Sequence, residues 1–211
     1  SCSVYGFSNE IVNEKSITNP LSLYAKFNHK AEKEILPLSD EKFIVTVIRQ
    51  ATVFGYSKRM RYDLAINALT YDAFKNNTIN LMRSGKQWRP FVHIKDTCRA
   101  MIHLIEFADK SKINNEIFNV GDNNLNFQIQ KIGKIFKSHF PGIKLNWYGD
   151  PDNRSYKIAF DKINKITNFK CNYDLLYGIE EISKKLKKNK IPKSDKTLTL
   201  KWYKYLEDCR R

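Results

Sequence analysis

Asn19-Pro20-Leu21-Ser22-Leu23-Tyr24-Ala25-Lys26-Phe27-Asn28-His29-Lys30-Ala31-Glu32 is the stretch on which the reading of the fold turns. Pro20 suits a first helical turn, where a missing N–H costs nothing. Tyr24, Phe27, Ala31 and Ile35 then recur at helical spacing, which predicts a helix with that stripe turned to the core. Asn28 falls within the stripe, one turn on from Tyr24, so a phenol and an amide are expected side by side on the inward surface. A core tyrosine satisfied by an asparagine accounts for such a pair taken alone. Upstream, Ser1-Cys2-Ser3-Val4-Tyr5-Gly6 reads as a strand end running into a glycine turn, and Glu14 precedes Asn19-Pro20. Downstream, Phe43-Ile44-Val45-Thr46-Val47-Ile48 is a continuous apolar, β-branched run of the kind buried on both faces of a parallel sheet. A strand, a helix and a second strand in this order predict an α/β fold.

At 211 residues and 42% hydrophobic, the chain is long enough to bury a sizeable core. No apolar run reaches the ~18 residues of a membrane span and no signal-peptide layout opens the sequence, so no membrane partner and a cytoplasmic location are expected. Cys2, Cys98, Cys171 and Cys209 lack metal-ligand spacing, and His29, His93, His103 and His139 form no cluster, so no metal is expected. The net charge of +15 raises the question of nucleic acid. The densest run, Lys184-Lys185-Leu186-Lys187-Lys188-Asn189-Lys190, ends a predicted amphipathic helix, where lysines complement the dipole and face solvent. No nucleic-acid partner is expected.

Along the chain, Arg49-Gln50-Ala51-Thr52-Val53-Phe54-Gly55 leaves the predicted central strand, and a helix over Tyr62 to Lys75 is expected to start at Asp63, with Asn67 near its beginning. In Gly85-Lys86-Gln87-Trp88-Arg89-Pro90-Phe91-Val92-His93-Ile94-Lys95-Asp96, His93 reads as structural and Asp96 as the cap of a helix through Cys98, Met101, Ile102 and Ile105. Ile117 to Gly121 is a short strand and turn, and Asn126 is expected to cap a helix bearing Ile129, Ile132, Ile135 and Phe136. Asp152-Asn153-Arg154-Ser155-Tyr156 precedes Asp161-Lys162-Ile163, and helices around Leu175 to Leu186 and Leu198 to Leu206 close the chain. The eight glycines nowhere approach Gly-x-Gly-x-x-Gly, so no dinucleotide phosphate turn is present.

Ser1-x-x-x-Tyr5-Gly6, Pro20-x-Ser22-x-Tyr24 and the Gly85–Asp96 segment together resemble the extended short-chain dehydrogenase/reductase family, the NAD-dependent nucleotide-sugar epimerases and dehydratases. The resemblance implies the C-terminal part of a Rossmann-like parallel sheet plus a small α/β substrate-binding domain. Residues 1–60 would be the remnant of the dinucleotide-binding domain and 61–211 mainly the sugar-nucleotide domain, the whole being the C-terminal portion of a longer enzyme. It implies Tyr24 as catalytic acid/base and Ser1 as the residue orienting the sugar hydroxyl. Tyr24 and Asn28 would lie at the cofactor, NAD or NADP, whose site is incomplete in this chain. Thr52, Asn67, Arg89 and Arg154 would bind a nucleoside-diphosphate sugar, the two arginines as bidentate clamps on its pyrophosphate. A homodimer through the Tyr24 helix is implied as well.

Two departures refine the activity. Family dehydratases carry Thr-Asp-Glu where this chain has Ser1-Cys2-Ser3, which favours an epimerase or related sugar-nucleotide oxidoreductase acting by Tyr-assisted hydride transfer. Asn28 stands where the family has the lysine that lowers the tyrosine pKa, and Lys26 lies about 200° round the helix from Tyr24. The alternative is therefore a catalytically impaired, sugar-nucleotide-binding paralogue.

Overall fold

The computed structural model describes residues 1–150 and 152–209. The elements in order are β1 (Phe7–Val12), α1 (Leu23–Ile35), β2 (Thr46–Gln50), β3 (Thr52–Phe54), α2 (Ala65–Asn76), β4 (Thr78–Met82), β5 (Trp88–His93), α3 (Ile94–Glu106) and α4 (Lys110–Ile113). They continue with β6 (Glu116–Val120), β7 (Asn126–Gln128), α5 (Ile129–His139), β8 (Lys144–Tyr148), β9 (Ser155–Ile158), α6 (Asp161–Thr167), α7 (Leu175–Lys187) and α8 (Thr199–Asp208). Among the described residues, four of the five strand pairings are parallel, β1 with β9, β2 with β6, β3 with β5 and β4 with β8, and β5 with β7 is antiparallel. The α/β fold expected from the apolar β-branched run is present.

Thr46 to Gln50 aligns residue by residue with Glu116 to Val120. The strand begins three residues later than its apolar run suggests, because Asp40 closes a turn: its Oδ1 accepts from Lys42 N at 2.7 Å and Phe43 N at 2.6 Å, which diverts Phe43 from the ladder. Cys2–Tyr5 is a 3-10 turn rather than a strand end, held by Val4 N to Ser1 O and Gly6 N to Ser3 O at 3.2 Å each. Gly6 has φ +63°, and a Cβ there would lie 1.8 Å from Asn19 O, so only glycine lets the chain pass.

Two larger cores follow from this layout. One packs Val4, Tyr5, Val92, Ala100, Phe118, Ile158 and Phe169. The other packs Phe54, Ile66, Ile79, Phe91, Ile132, Phe136 and Ile179 between α2, α5 and α7. The first joins residues on both sides of position 60. A smaller cluster of Met60, Tyr62, Ile182, Leu186 and Ile191 anchors the chain before α2 to α7.

The orientation of α1 differs from its apolar pattern. Tyr24 is 62% exposed and Phe27 67%, while Ala25 and Glu32 are buried. The cause is Arg49 on β2, itself 3% exposed, which holds Glu32 with three hydrogen bonds of 2.7 to 3.2 Å and so turns the carboxylate face of the helix inward. On the opposite face of β2, Thr46 and Ile48 line an apolar groove of about 480 Å3 with Met101, Leu104 and Ile105 of α3. Among the described residues β2 has one strand neighbour, β6, and its second edge carries none.

The helix caps also differ from expectation. His93, not Asp96, caps α3, its Nδ1 accepting from Lys95 N at 3.3 Å. Asp96 is fully buried and accepts from Asn172 N and Tyr173 N at 3.0 Å, fixing the turn before α7. Asp63 accepts from Arg61 and from Thr199 N, leaving Leu64 at the α2 cap without a side-chain bond. Asn126 sits in β7 and exchanges hydrogen bonds with the Ile158 backbone, and Gln128 occupies the α5 cap.

Candidate functional site

A cavity of about 690 Å3 opens where the C-terminal end of β4, the start of β5 and the N-terminal half of α2 meet. Leu69, Leu81 and Phe91 contribute apolar lining, Thr52, Asn80 and Gln87 polar lining, and Asp63, Asp72, Arg89, Asp152 and Arg154 charged lining. Arg89 is placed by β5, whose residue 89 pairs with Phe127 of β7, and Arg154 by the turn entering β9. Arg89 Nη1 donates to Trp88 O at 2.8 Å and to Arg154 O, and its Nη2 donates to Asp152 Oδ2 at 2.5 Å. Arg154 donates to Asp152 Oδ1 from N and Nε at 2.9 and 3.0 Å, and to Oδ2 from Nη2 at 2.7 Å. Burial alone would raise the Asp152 carboxyl; the hydrogen bonds from Arg154 and the charges of both guanidinia override it and bring it down to about 2.

Three of the four expected substrate contacts, Thr52, Arg89 and Arg154, therefore face one cavity, although they are distant in sequence. Asn67 lies outside its lining. That residue is 3% exposed, accepting from Gly55 N at 3.0 Å and donating to Arg61 O at 3.1 Å. Its amide is committed to backbone, and its work is to hold the strand exit that carries Thr52. Gly55 has φ +110°, and a Cβ there would meet His93 Nε2 at 2.3 Å.

Ser1 Oγ lies 3.1 Å from Ser3 Oγ and is partly buried. Asn28 Nδ2 donates to the Tyr24 carbonyl at 2.8 Å, so the amide is turned to the helix backbone and leaves the phenol alone. Neither Tyr24 nor Ser1 is among the residues lining the cavity. Tyr5, four residues from Ser1, is buried: its hydroxyl donates to Asn119 Oδ1 at 2.9 Å and accepts from Arg49 Nη1 at 3.0 Å.

His93, fully buried, contacts Glu181 Oε2 at 3.1 Å, and the same carboxylate accepts from Tyr56 N and Lys95 Nζ. Burial lowers the His93 pKa below its ordinary value, opposed by the Glu181 charge. The histidine is structural, tying β5, α7 and the loop after Gly55 together. Asp152 was the residue most easily overlooked in the sequence. Its one signal there is its position two residues before Arg154, the spacing of a carboxylate that folds back on its own turn.

Residues 1–121, more than half of the chain, match the NAD dependent epimerase/dehydratase family. The chain belongs to that family. Its description agrees with the cofactor expected from the sequence.

Solved structures share the fold. Pal from Bacillus thuringiensis is 20% identical with a TM-score of 0.76, the match covering 90% of this chain and 61% of that one. UDP-glucuronic acid 4-epimerase from Bacillus cereus, solved with UDP-glucuronic acid and NAD, is 21% identical at TM-score 0.75, covering 89% and 59%. DesIV, a dTDP-glucose 4,6-dehydratase from Streptomyces venezuelae solved with NAD and TYD, is 17% identical at TM-score 0.74, covering 89% and 58%. The match thus spans about three-fifths of the length of these chains. No helix among the described residues is long and apolar enough to cross a membrane.

The residues present fit only part of a dinucleotide site. Tyr24 stands open beside the polypeptide, Asn28 offers no cation, and the sequence holds no glycine-rich phosphate turn.

Proposed function

We propose that this chain is the substrate-binding part of an NAD-dependent nucleotide-sugar epimerase or related sugar-nucleotide oxidoreductase, and that its large cavity takes a nucleoside-diphosphate sugar. The observation carrying this reading is the convergence of Arg89 and Arg154 on a cavity that also offers apolar lining from Leu69, Leu81 and Phe91. Two guanidinia aimed at a single point suit a bridged diphosphate, and the apolar lining suits a base or sugar face. Thr52, at the start of β3, supplies a hydroxyl to the cavity lining. Tyr24 takes the proton from the sugar hydroxyl as its carbon is oxidised, with Ser1 orienting that hydroxyl. NAD, when bound, supplies the hydride acceptor. The protein works in the cytoplasm as a homodimer through α1.

Calorimetry with UDP-glucose and dTDP-glucose tests the cavity. Arg89→Ala is expected to weaken binding by about tenfold or more, since it removes a charge-assisted contact worth about 1.5–3 kcal/mol. Unchanged affinity in that variant removes the reading.

A second reading is favoured by one observation, the amide of Asn28 bonded to the Tyr24 carbonyl. With an amide at the position where the resemblance places a lysine, the chain binds sugar nucleotide without turning it over. Turnover by the full-length enzyme separates the two.

A further inference from the structure

We infer that α8, with the lysine-rich segment leading into it, is a docking surface for the anionic face of a lipid bilayer, on which the helix lies flat. No helix among the described residues can cross a membrane, and attachment to its surface needs none. The inference is independent of how the cavity is read.

Charge is the first observation. From Lys184 to Lys204 the sequence carries nine lysines against one acidic residue, Asp195, so about a tenth of the chain holds more than half of its net +15. Carboxylates answer few of them. Lys184 meets Glu180 at 3.3 Å, Lys193 meets Asp72 at 3.9 Å and Lys201 meets Asp195 at 2.8 Å. Among the described residues Lys187, Lys188, Lys190, Lys196 and Lys204 have no such partner. Lys196 Nζ stands 5.3 Å from the centre of the Trp202 ring, which brings the charge of the segment onto the helix itself.

The second observation is an apolar ridge with nothing over it. α8 is tied down at its start, where Thr199 N donates to Asp63 Oδ2 at 3.2 Å, Tyr62 N donates to Thr197 O at 2.9 Å and Leu198 packs against the Met60 cluster. None of its described residues is buried. Leu200, Tyr203 and Leu206 follow at spacings of three and so form one ridge, with Leu200 76% and Tyr203 55% exposed. Lys201 and Lys204 flank that ridge, and the Trp202 ring stacks on Tyr205 at 5.2 Å. Glu207 stands at the C-terminal end of the row, so the first two turns make the contact.

An apolar ridge, flanking lysines and amphipathic aromatic rings are what lets a helix rest at the headgroup level, its apolar side in the acyl boundary and its ammonium groups on lipid phosphates. Other occupants satisfy half of this. Nucleic acid answers the lysines and leaves Leu200 and Leu206 against a polar backbone. A second copy covers the ridge and sets the same lysines against one another.

Sedimentation of the 211-residue chain in about 0.1 M salt tests this, with vesicles of phosphatidylcholine alone and of phosphatidylcholine mixed with phosphatidylglycerol. Wild type is expected on the mixed vesicles and not on the neutral ones. Lys201→Gln/Lys204→Gln should weaken that binding about twentyfold, since each lysine near an anionic surface contributes about fivefold. Leu200→Ser/Tyr203→Ser should weaken it by about tenfold or more, because the ridge no longer enters the acyl boundary. All four side chains are exposed, so both variants should keep the circular dichroism of wild type. Failure of wild type to attach to the mixed vesicles, equal attachment to the neutral ones, or full attachment by Leu200→Ser/Tyr203→Ser overturns the inference. Tighter binding to duplex DNA than to the mixed vesicles overturns it in favour of nucleic acid, and pelleting without vesicles overturns it in favour of a second copy.

Discussion

Removal of Glu32 is the sharpest test of how α1 is held. Its carboxylate accepts from Arg49 Nε at 3.2 and 3.1 Å and from Nη2 at 2.7 Å, while Arg49 Nη1 donates to the Tyr5 hydroxyl at 3.0 Å. The two side chains are 7% and 4% exposed, so this is a buried pair and not a surface one. Glu32→Ala leaves the Arg49 guanidinium in the interior with one phenol oxygen as its remaining side-chain partner. Breaking one side of a buried pair costs about 3–5 kcal/mol, a large part of the 5–15 kcal/mol that holds a typical domain. The double variant Glu32→Leu/Arg49→Met removes both charges together and is expected to recover most of that loss, because the desolvation of the charges disappears with their attraction. Urea unfolding followed by circular dichroism measures all three proteins. A single variant within about 1 kcal/mol of wild type would falsify the view that this pair, and not the apolar stripe, orients α1.

Two further outcomes are expected. Asn28→Lys, made in the full-length enzyme, places a cation one helical turn from Tyr24 and should move the optimum of turnover down by about one to three pH units; an optimum that stays put excludes Tyr24 as the base. His93 is held neutral by burial, its pKa lowered in the folded state, so below about pH 6.5 the unfolded chain binds the proton that the folded chain refuses. Stability should therefore be level above that pH and fall as the pH drops through it. His93→Gln should be less stable throughout but flatter across about pH 7.5 to 5.5, and an equally steep fall in the variant would assign the effect to another group.

What the sequence disclosed depended on the kind of force at each position. Val47 and Ile48 announce a central strand because a parallel strand is buried on both faces and reads as apolar throughout. Arg89 was singled out by the Gly85 to Asp96 pattern and Arg154 by the Asp152 to Tyr156 segment, and the two line one cavity. The facing of α1 was not, since it is set by Arg49, seventeen residues beyond Glu32, and a single buried ion pair outweighs an exposed apolar stripe. Asp96 and Asn67 misled for a related reason. Each looked like a cap or a ligand contact by position, yet each bonds to backbone brought near by folding, at Asn172 and at Gly55. Asp152 was hidden by its own partners, because only the three-dimensional meeting of Arg89 and Arg154 gives its carboxylate a task.

The bare edge of β2 also governs how the purified chain will behave in the tube. A parallel strand paired on one edge only among the described residues, with Phe27 and Leu23 of α1 67% and 72% exposed and Ile105 of α3 70%, is a surface on which two copies can stick. The net charge of +15 keeps copies apart only across the screening distance, about 10 Å at 0.1 M salt and about 3 Å at 1 M. Low ionic strength therefore holds this chain in solution, while concentrated salt, which both shortens the repulsion and strengthens apolar contact, drives it into clusters.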